Sequence, residues 1–199
     1  YEDDRVEVRY GADVRHLESS NGEPGAVTYW DRAEETERRA EAERFALGAN
    51  ALFNPAILLR SGFEHPLIGR RLVEQVSVPV VAKFDGLKNF QGSTSICGHG
   101  YMHYDGSHRS EHAGCLIETY NIPELRNEKG QWREQMRLKF LFEDLPQREN
   151  RVSIDPDNPE EPVVEFQGRS DYAERGIAKT RELASEVLEP LPTESFEVN

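Results

Sequence analysis

Residues 47–62 read LGANALFNPAILLRSG, and this stretch decides how the rest of the chain is interpreted. Asn54 is a good N-cap, and Pro55 suits the first turn of a helix, where a missing N–H costs nothing. The apolar run that follows predicts a helix over 54–59 with one buried face. Gly62 then provides the residue type that most often ends a helix.

The turn before this helix is built from small side chains. Gly48, Ala49, Asn50 and Ala51 let a ligand approach the backbone closely. A helix N-terminus also carries free N–H groups and a partial positive charge. A strand, a small-residue turn and a capped helix therefore indicate a place where a cofactor can lie, although many turns of this kind bind nothing.

The residues upstream predict a hairpin and then an ambiguous segment. Apolar and polar residues alternate over 14–17 and 26–30, on either side of a Gly- and Pro-containing turn at 20–25. Residues 31–44 are rich in Ala, Glu and Arg, which favours a solvated surface helix. The alternative is a polar turn followed by a strand from about Glu41 into Leu47.

The second part of the chain predicts an antiparallel sheet followed by a long helix. Strands are predicted over 76–82, 115–120, 136–143, 151–154 and 163–166, and apolar and polar residues alternate over 136–143. Pro79 places the first of them at an edge or a bend. An amphipathic helix is predicted over 172–188. The fold class is therefore α+β, with one domain over 1–75 and a second over 76–199.

Composition excludes several classes of protein. The 199 residues carry a net charge of −13, which argues against a nucleic-acid surface. No apolar run approaches the roughly 18 residues that a membrane helix needs, so direct membrane insertion is not expected. Two cysteines, Cys97 and Cys115, are too few for a disulfide-dense scaffold. They can pair or stay reduced, and the compartment stays open.

Three stretches resemble motifs of the glucose–methanol–choline (GMC) family of flavoprotein oxidoreductases. Residues 47–62 resemble the pattern Ala-Gly-Ala-x-x-Ser-Pro-x-Leu-Leu-Leu-x-Ser-Gly. Residues 68–72 resemble Val-Gly-x-Asn-Leu, and residues 143–152 resemble Glu-x-x-Pro followed by Asn-Arg-Val. The three stretches have the order and spacing of the family, so the resemblance covers most of the chain.

The resemblance implies FAD as cofactor and an α/β fold for the full-length protein, with 1–75 as part of the FAD-binding domain and 76–199 as a substrate domain. The resemblance also implies that residues 41–47 form a strand rather than a helix. Val14 would meet the adenine end of FAD through its backbone. The cofactor-binding positions that the resemblance implies are Val14, Gly48, Ala49, Asn50, Ala51 and Asn54.

The implied reaction is hydride transfer from a CH–OH group of an alcohol, polyol or sugar to the flavin, with electrons passing on to an acceptor such as a partner subunit. The family's Gly-x-Gly-x-x-Gly motif is not found in these residues. The catalytic His, with a second His or Asn, is expected beyond Asn199. The chain is therefore interpreted as a fragment that is inactive alone, and no catalytic residue is assigned.

A cluster of histidines and cysteines supports a different hypothesis. Its members are Cys97, His99, His103, His108, His112 and Cys115. Zinc prefers such N and S ligands, which suggests a metal-binding or interaction module. Glycines within the cluster disfavour a helix, so a polar loop at an active-site rim is the other interpretation. The candidate substrate-rim residues are Tyr101, His103, Tyr104 and His108.

Overall fold

The computed structural model describes residues 4–87, 96–120, 124–128 and 130–199. Two compact units share the chain. The first comprises residues up to Leu72 together with Gln147–Gln167, and the second comprises Val73–Pro146 with Gly168–Asn199. The first sequence-predicted domain therefore ends close to the observed boundary. The second was predicted as continuous, but residues 147–167 leave it and complete the first unit.

The first unit opens with an antiparallel meander of β1 (Ala12–Ser20), β2 (Glu23–Asp31) and β3 (Thr36–Glu41). Asn21 and Gly22 connect the first two strands with positive φ angles of 54° and 81°. Two consecutive positive φ angles are typical of the hairpin turn that matches strand twist. The predicted hairpin is confirmed.

Residues 31–44 form neither the predicted surface helix nor the strand that the resemblance implied over 41–47. The chain turns after Asp31 and pairs along β2 as β3, which ends at Glu41, and residues 42–49 have no regular structure. Arg39 forms an ion pair with Glu18 across the sheet. Pairing with β2 outweighs helix propensity here, since propensity amounts to only a few tenths of a kcal/mol per residue.

The first unit is completed by α1 (Asn50–Arg60) and a hairpin of β9 (Arg151–Asp155) and β10 (Asn158–Glu165). The helix packs against β1, β9 and β10. Gly62, with φ of 76°, ends the helix as predicted, and the Phe63 N–H donates to the Leu58 carbonyl at 3.1 Å. This is the Schellman arrangement in which a left-handed residue satisfies the last carbonyls.

Two of the stretches that resemble family motifs lie side by side in this unit. The Val152 N–H donates to the Gly69 carbonyl at 2.6 Å, and the Leu72 N–H donates to the Asn150 carbonyl at 2.9 Å. A Cβ added to Gly69 would lie 2.1 Å from the Val152 carbonyl oxygen, so only glycine fits there. Leu59 of α1 is also close to Gly69, which brings the helix into the same cluster.

The second unit is built on an antiparallel sheet with the strand order β11-β4-β8-β6-β5, and β7 pairs with the far part of β8. Its strands are β4 (Val76–Phe84), β5 (Ile96–His103), β6 (Cys115–Tyr120), β7 (Glu124–Glu128), β8 (Gln131–Phe142) and β11 (Thr193–Val198). Helices α2 (Asp171–Ala178) and α3 (Thr180–Leu188) directly precede β11 in the chain. Buried side chains from the sheet and from α3 form one core, which includes Val80, Phe84, Phe140, Phe142 and Leu188.

Three predictions for this part of the chain need correction. β4 lies between β11 and β8, so the edge alternative for Pro79 is wrong. The Pro79 carbonyl accepts from the Asn199 N–H at 3.0 Å, and the missing Pro79 N–H faces the same side. The predicted helix over 172–188 is divided at Lys179, where the Thr180 hydroxyl donates to the Ile177 carbonyl. β9 and β10 form their own sheet in the first unit. The predicted α+β fold class is confirmed.

Candidate functional site

The first unit contains a cleft of about 450 Å³ between the start of β1 and the N-terminal half of α1, which we call the β1–α1 cleft. Its lining comes from β1, the loop before α1, one face of the helix and one residue of β10. The lining residues include Asp13, Val14, Leu47, Gly48, Ala49, Phe53, Ile57, Arg60 and Glu160. A cleft of this size lies within the usual range for a small-molecule site.

Three of the six predicted cofactor-binding residues line this cleft: Val14, Gly48 and Ala49. Val14 is far from the other two in sequence, and the packing of α1 against β1 brings them together. A Cβ added to Gly48 would meet no atom within 4 Å, so the space beside this backbone is open. The backbone of the turn is therefore accessible to a ligand on the cleft side.

Asn50, Ala51 and Asn54 do not line the cleft, and two of them shape the loop instead. The Asn50 side-chain oxygen accepts from the N–H groups of Leu52 and Phe53 at 2.9 and 3.0 Å. Asn50 therefore performs the capping that was predicted for Asn54. The Asn54 amide accepts from the Ala49 N–H at 2.8 Å and donates to the Leu47 carbonyl at 3.2 Å.

Arg60 also lines the cleft, although the sequence does not predict a binding role for it. Its Nε donates to the Arg15 carbonyl and its Nη2 to the Val14 carbonyl, both at 2.5 Å. Partial burial lowers the pKa of the Arg60 guanidinium, and the charge of Glu160 opposes this shift. Arg60 thus ties the last turn of α1 to β1 and places a positive charge at the cleft. Its position in the last helical turn is the only sequence signal for this role.

The second unit contains a separate cavity of about 310 Å³, which we call the Glu143 pocket. It is mostly apolar and lies at the end of β8, with walls from β6 and β8. The lining residues are Val73, Gln75, Tyr104, Gly114, Leu116, Leu141, Phe142, Glu143 and Asp144.

Glu143 is the centre of a hydrogen-bond network beside this pocket. Its Oε1 accepts from the Tyr172 hydroxyl at 2.8 Å, the Gly114 N–H at 3.1 Å and Arg109 Nε at 3.0 Å. Arg109 Nη2 donates to Oε2 at 2.8 Å. Partial burial raises the pKa of Glu143, but the hydrogen bonds from Tyr172 and Arg109 outweigh it and hold the pKa below its ordinary value.

The predicted substrate-rim residues are only partly brought together. Tyr104 lines the Glu143 pocket, and its ring contacts that of Tyr101 edge-on at 6.0 Å between centroids. Tyr101 is exposed and does not line the pocket. His103 is mostly buried, with its side chain 13% exposed, and its Nε2 lies 3.8 Å from Glu186. His108 points its Nε2 at the His103 carbonyl, at 3.2 Å.

The histidine and cysteine cluster does not converge on one point in the part of the chain that the structure describes. His99 lies 3.5 Å from Glu118, and the rings of His108 and His112 stack at 5.2 Å. Among the described residues, no group of three or more potential ligands could hold a metal ion. Burial raises the pKa of the Cys115 thiol to about 12, so it stays protonated. The Cys97 side chain lies outside the described residues.

Comparison with known proteins does not assign a function to this chain. The β1–α1 cleft and the Glu143 pocket are therefore the features from which a function is inferred. A scan against protein-family models finds no match, and a search of curated proteins finds none either. Over the described residues, every helix is too short or too polar to span a bilayer.

Proposed function

We propose that this chain forms part of an FAD-dependent oxidoreductase that oxidises the CH–OH group of an alcohol, polyol or sugar. The first unit would hold part of the cofactor in the β1–α1 cleft. The observation that carries this proposal is that Val14 and the Gly48–Ala49 turn line one cleft. The resemblance implies that Val14 and this turn both contact the cofactor, although they lie far apart in sequence.

The residues of the cleft fit a nucleotide. Gly48 presents bare backbone beside open space, so a flat ring system can approach it without meeting a side chain. Phe53 and Ile57 provide apolar surface from the same helix face, against which a ring can pack. Arg60 adds a positive charge that suits a phosphate oxygen.

The arrangement of the loop favours a preformed site. Asn54 holds the backbone at Leu47 and Ala49, and Asn50 caps the helix, so the turn keeps its shape without a ligand. The side-by-side packing of Gly69 with Val152 is a second supporting observation, because it joins two of the motif-like stretches. FAD, when bound, would supply the hydride acceptor. The role of these residues is to bind and orient it.

The proposal is tested by titrating this chain into FAD and following the anisotropy of flavin fluorescence. We expect saturable binding with a dissociation constant of about 1 mM or lower, equivalent to about −4.1 kcal/mol. Binding is expected to be weak because no Gly-x-Gly-x-x-Gly loop contributes to it. Gly48→Leu should fill the open space beside the backbone and weaken binding by about tenfold or more.

Gly25→Leu is the matched control. Gly25 is also exposed, and a Cβ added to it also meets nothing within 4 Å, but it does not line the cleft. Its variant should bind FAD like the unchanged protein. A flat titration up to several times the expected dissociation constant (roughly 5 mM), or equal binding by both leucine variants, would contradict the proposal.

A further inference from the structure

We propose that a cavity in the first unit binds a phosphate-type dianion, such as the phosphate group of a phosphorylated small molecule. This cavity, which we call the Arg70 pocket, has a volume of about 480 Å³, within the usual range for a small-molecule site. Its lining residues are Arg70, Arg148, Glu149, Arg151, Glu165 and Gln167. Among the described residues it shares none with the β1–α1 cleft, so the inference goes beyond the proposed function and does not depend on flavin binding.

The backbone holds two arginines side by side at this cavity. Arg70 and Arg151 stand opposite each other in an antiparallel bridge. Next to the bridge, the Val152 N–H donates to the Gly69 carbonyl at 2.6 Å, which fixes the pairing. Like charges placed directly opposite each other in a strand pair are destabilising. A bound anion would offset this repulsion.

One of the two arginines is oriented before any ligand binds. Nε and Nη2 of Arg151 donate to the two carboxylate oxygens of Glu165 at 2.6 and 2.7 Å. Nη1 of Arg151 has no hydrogen bond among the described residues, so it can donate to a ligand. The Gln167 backbone is fixed as well, because its N–H donates to Oδ1 of the buried Asn150 at 2.8 Å. The lining therefore keeps its shape without a ligand.

The other two arginines of the lining carry uncompensated charge. In the part of the chain that the structure describes, neither Arg70 nor Arg148 has a side-chain hydrogen bond or an ion pair. The chain has 37 acidic and 24 basic residues, so carboxylates are in excess. Elsewhere in the same unit, Arg15, Arg32 and Arg39 each form an ion pair. Two unpaired guanidinium groups at one cavity therefore indicate an anion from outside the chain.

The charges and the donors of the lining favour phosphate over a carboxylate. Glu149 opposes an anion, since its exposed carboxylate has no partner among the described residues. Three arginines and two glutamates nevertheless leave the lining with a net positive charge. Each guanidinium presents several N–H donors in a planar fork, which matches phosphate oxygens. A phosphate group has more oxygens than a carboxylate and a second negative charge, so it can satisfy more of these donors.

The experiment is an NMR titration of the ¹⁵N-labelled chain with inorganic phosphate at low salt and about pH 8, where phosphate is mainly a dianion. We expect saturable shifts at residues 69–71, 148–151 and 165–167, with a dissociation constant of about 1 mM. Arg70→Gln and Arg148→Gln should each weaken binding by about tenfold, because each loses charged donors to the ligand. Glu149→Gln should tighten binding by about threefold, because it removes the opposing charge.

Arg44→Gln is the matched control. Arg44 is exposed in the same unit, has no side-chain partner among the described residues and does not line the Arg70 pocket. The substitution changes the net charge of the chain as the two pocket variants do, so it should leave phosphate binding unchanged. Circular dichroism checks that all four variants fold.

The proposal is overturned if phosphate gives no saturable shifts up to about 20 mM, or if both pocket variants bind phosphate as well as Arg44→Gln does. It is also overturned if Glu149→Gln weakens binding or if acetate, the carboxylate probe, binds at least as tightly as phosphate. Phosphate should not displace FAD at matched ionic strength, and displacement would contradict a separate pocket. Phosphate binding without flavin binding would contradict the proposed function alone, so the two failures are distinguishable.

Discussion

At the scale of single residues, the Glu143 carboxylate connects three separate parts of the second unit. Its hydrogen bonds reach Arg109 in a short 3₁₀ helix (Ser107–Ser110), the backbone of Gly114 before β6, and Tyr172 in α2. A carboxylate with this many donors is stabilised in its ionised form, which is why its pKa is lowered despite partial burial. The residue therefore couples the stability of the unit to pH.

Glu143→Gln should destabilise the second unit at pH 7. A hydrogen bond to a charged group contributes about 1.5–3 kcal/mol, and the 38% exposure of the side chain reduces this to about 1–2 kcal/mol. Because the folded pKa lies below the ordinary value, the contribution is present above that value and is lost as pH falls through the lowered pKa.

Urea unfolding at pH 7 and at about pH 3 measures this effect. The difference in unfolding free energy between the unchanged protein and Glu143→Gln should shrink at the lower pH. Glu111→Gln is the control, since Glu111 is exposed in the same unit and its carboxylate has no hydrogen bond or ion pair among the described residues. A difference that grows on acidification would contradict the assignment.

The two asparagines in the first turns of α1 show where single-residue prediction fails. The sequence predicts Asn54 as the N-cap, because Pro55 follows it in a first-turn position. In the structure the helix begins one turn earlier, with Asn50 at a positive φ of 79° and its side chain on two N–H groups. Asn54 instead holds the preceding loop. Capping the helix and holding the loop both use hydrogen bonds of a side-chain amide. The residue type alone therefore does not show which asparagine has which role.

At the scale of elements, the close approach of α2 to the sheet depends on Gly176. This residue is buried, and a Cβ built on it would lie 2.8 Å from the Ala113 Cβ and 3.1 Å from Phe142 Cδ1. Amphipathicity predicts one helix over 172–188 and gives no sign of a close glycine contact within it. The contact places the helix directly over the segment that leads into β6.

Gly176→Ala should destabilise the protein although alanine is the better helix former. Alanine gains about 1 kcal/mol of helix propensity, but overpacking of a filled core costs about 1–3 kcal/mol. The neighbours are the Ala113 backbone and a buried ring, which have little room to move. We therefore expect a net loss of about 1 kcal/mol, measured as a lower midpoint of thermal unfolding.

Gly25→Ala is the comparison for this substitution, because the added Cβ meets nothing within 4 Å. It should change stability by less than about 0.5 kcal/mol. A Gly176→Ala variant that is more stable than the unchanged protein would show that helix propensity outweighs the packing described above.

Strand positions were predictable because alternation is a local signal. The strands predicted over 115–120, 151–154 and 163–166 all appear, and β8 contains almost all of the strand predicted over 136–143. The failures lie where distant pairing competes with local preference. Residues 36–41 have a helix-forming composition, yet they pair with β2. The hairpin of β9 and β10 shows no local sign of belonging to a sheet separate from β4 and β8.

At the scale of the whole molecule, net charge is the dominant feature. A charge of −13 on 199 residues produces self-repulsion in the compact state. The ion pairs on the surface, such as Arg32 with Asp13 and Arg39 with Glu18, are exposed and contribute little each. At low ionic strength, repulsion among the excess negative charges should therefore exceed the attraction within these ion pairs.

Raising NaCl from about 10 mM to about 0.5 M should raise the midpoint of thermal unfolding at pH 7 by about 2–5 °C. The physical reason is screening of the excess negative charge. Calorimetry provides the measurement, and the same series at pH 5.0, the isoelectric point, is the control in which the effect should largely vanish. A midpoint that falls with salt at pH 7 would mean that the surface ion pairs dominate.

The candidate sites were also only partly predictable, because local sequence patterns do not show which distant residues meet in the folded molecule. Val14, Gly48 and Ala49 were identified through a resemblance to known motifs, and Tyr104 through its place in an aromatic, polar loop. Arg60 and the pocket residues Gln75 and Asp144 were not identified. Arg60 and Asp144 lie within motif-like stretches, but at positions to which the resemblance assigns no binding role, and Gln75 lies outside these stretches. Only the folding of distant segments places the three residues at a cavity.

The division of the first unit between two stretches of chain has a consequence for protein synthesis. Helix α1 packs on β9 and β10, which follow only after the whole of 73–146 has been made. While the ribosome translates that insertion, the nascent helix lacks these partners and keeps part of its apolar face uncovered. Domains usually fold in the order of their synthesis. Here the earliest segment can complete its packing only after Gln167 has emerged.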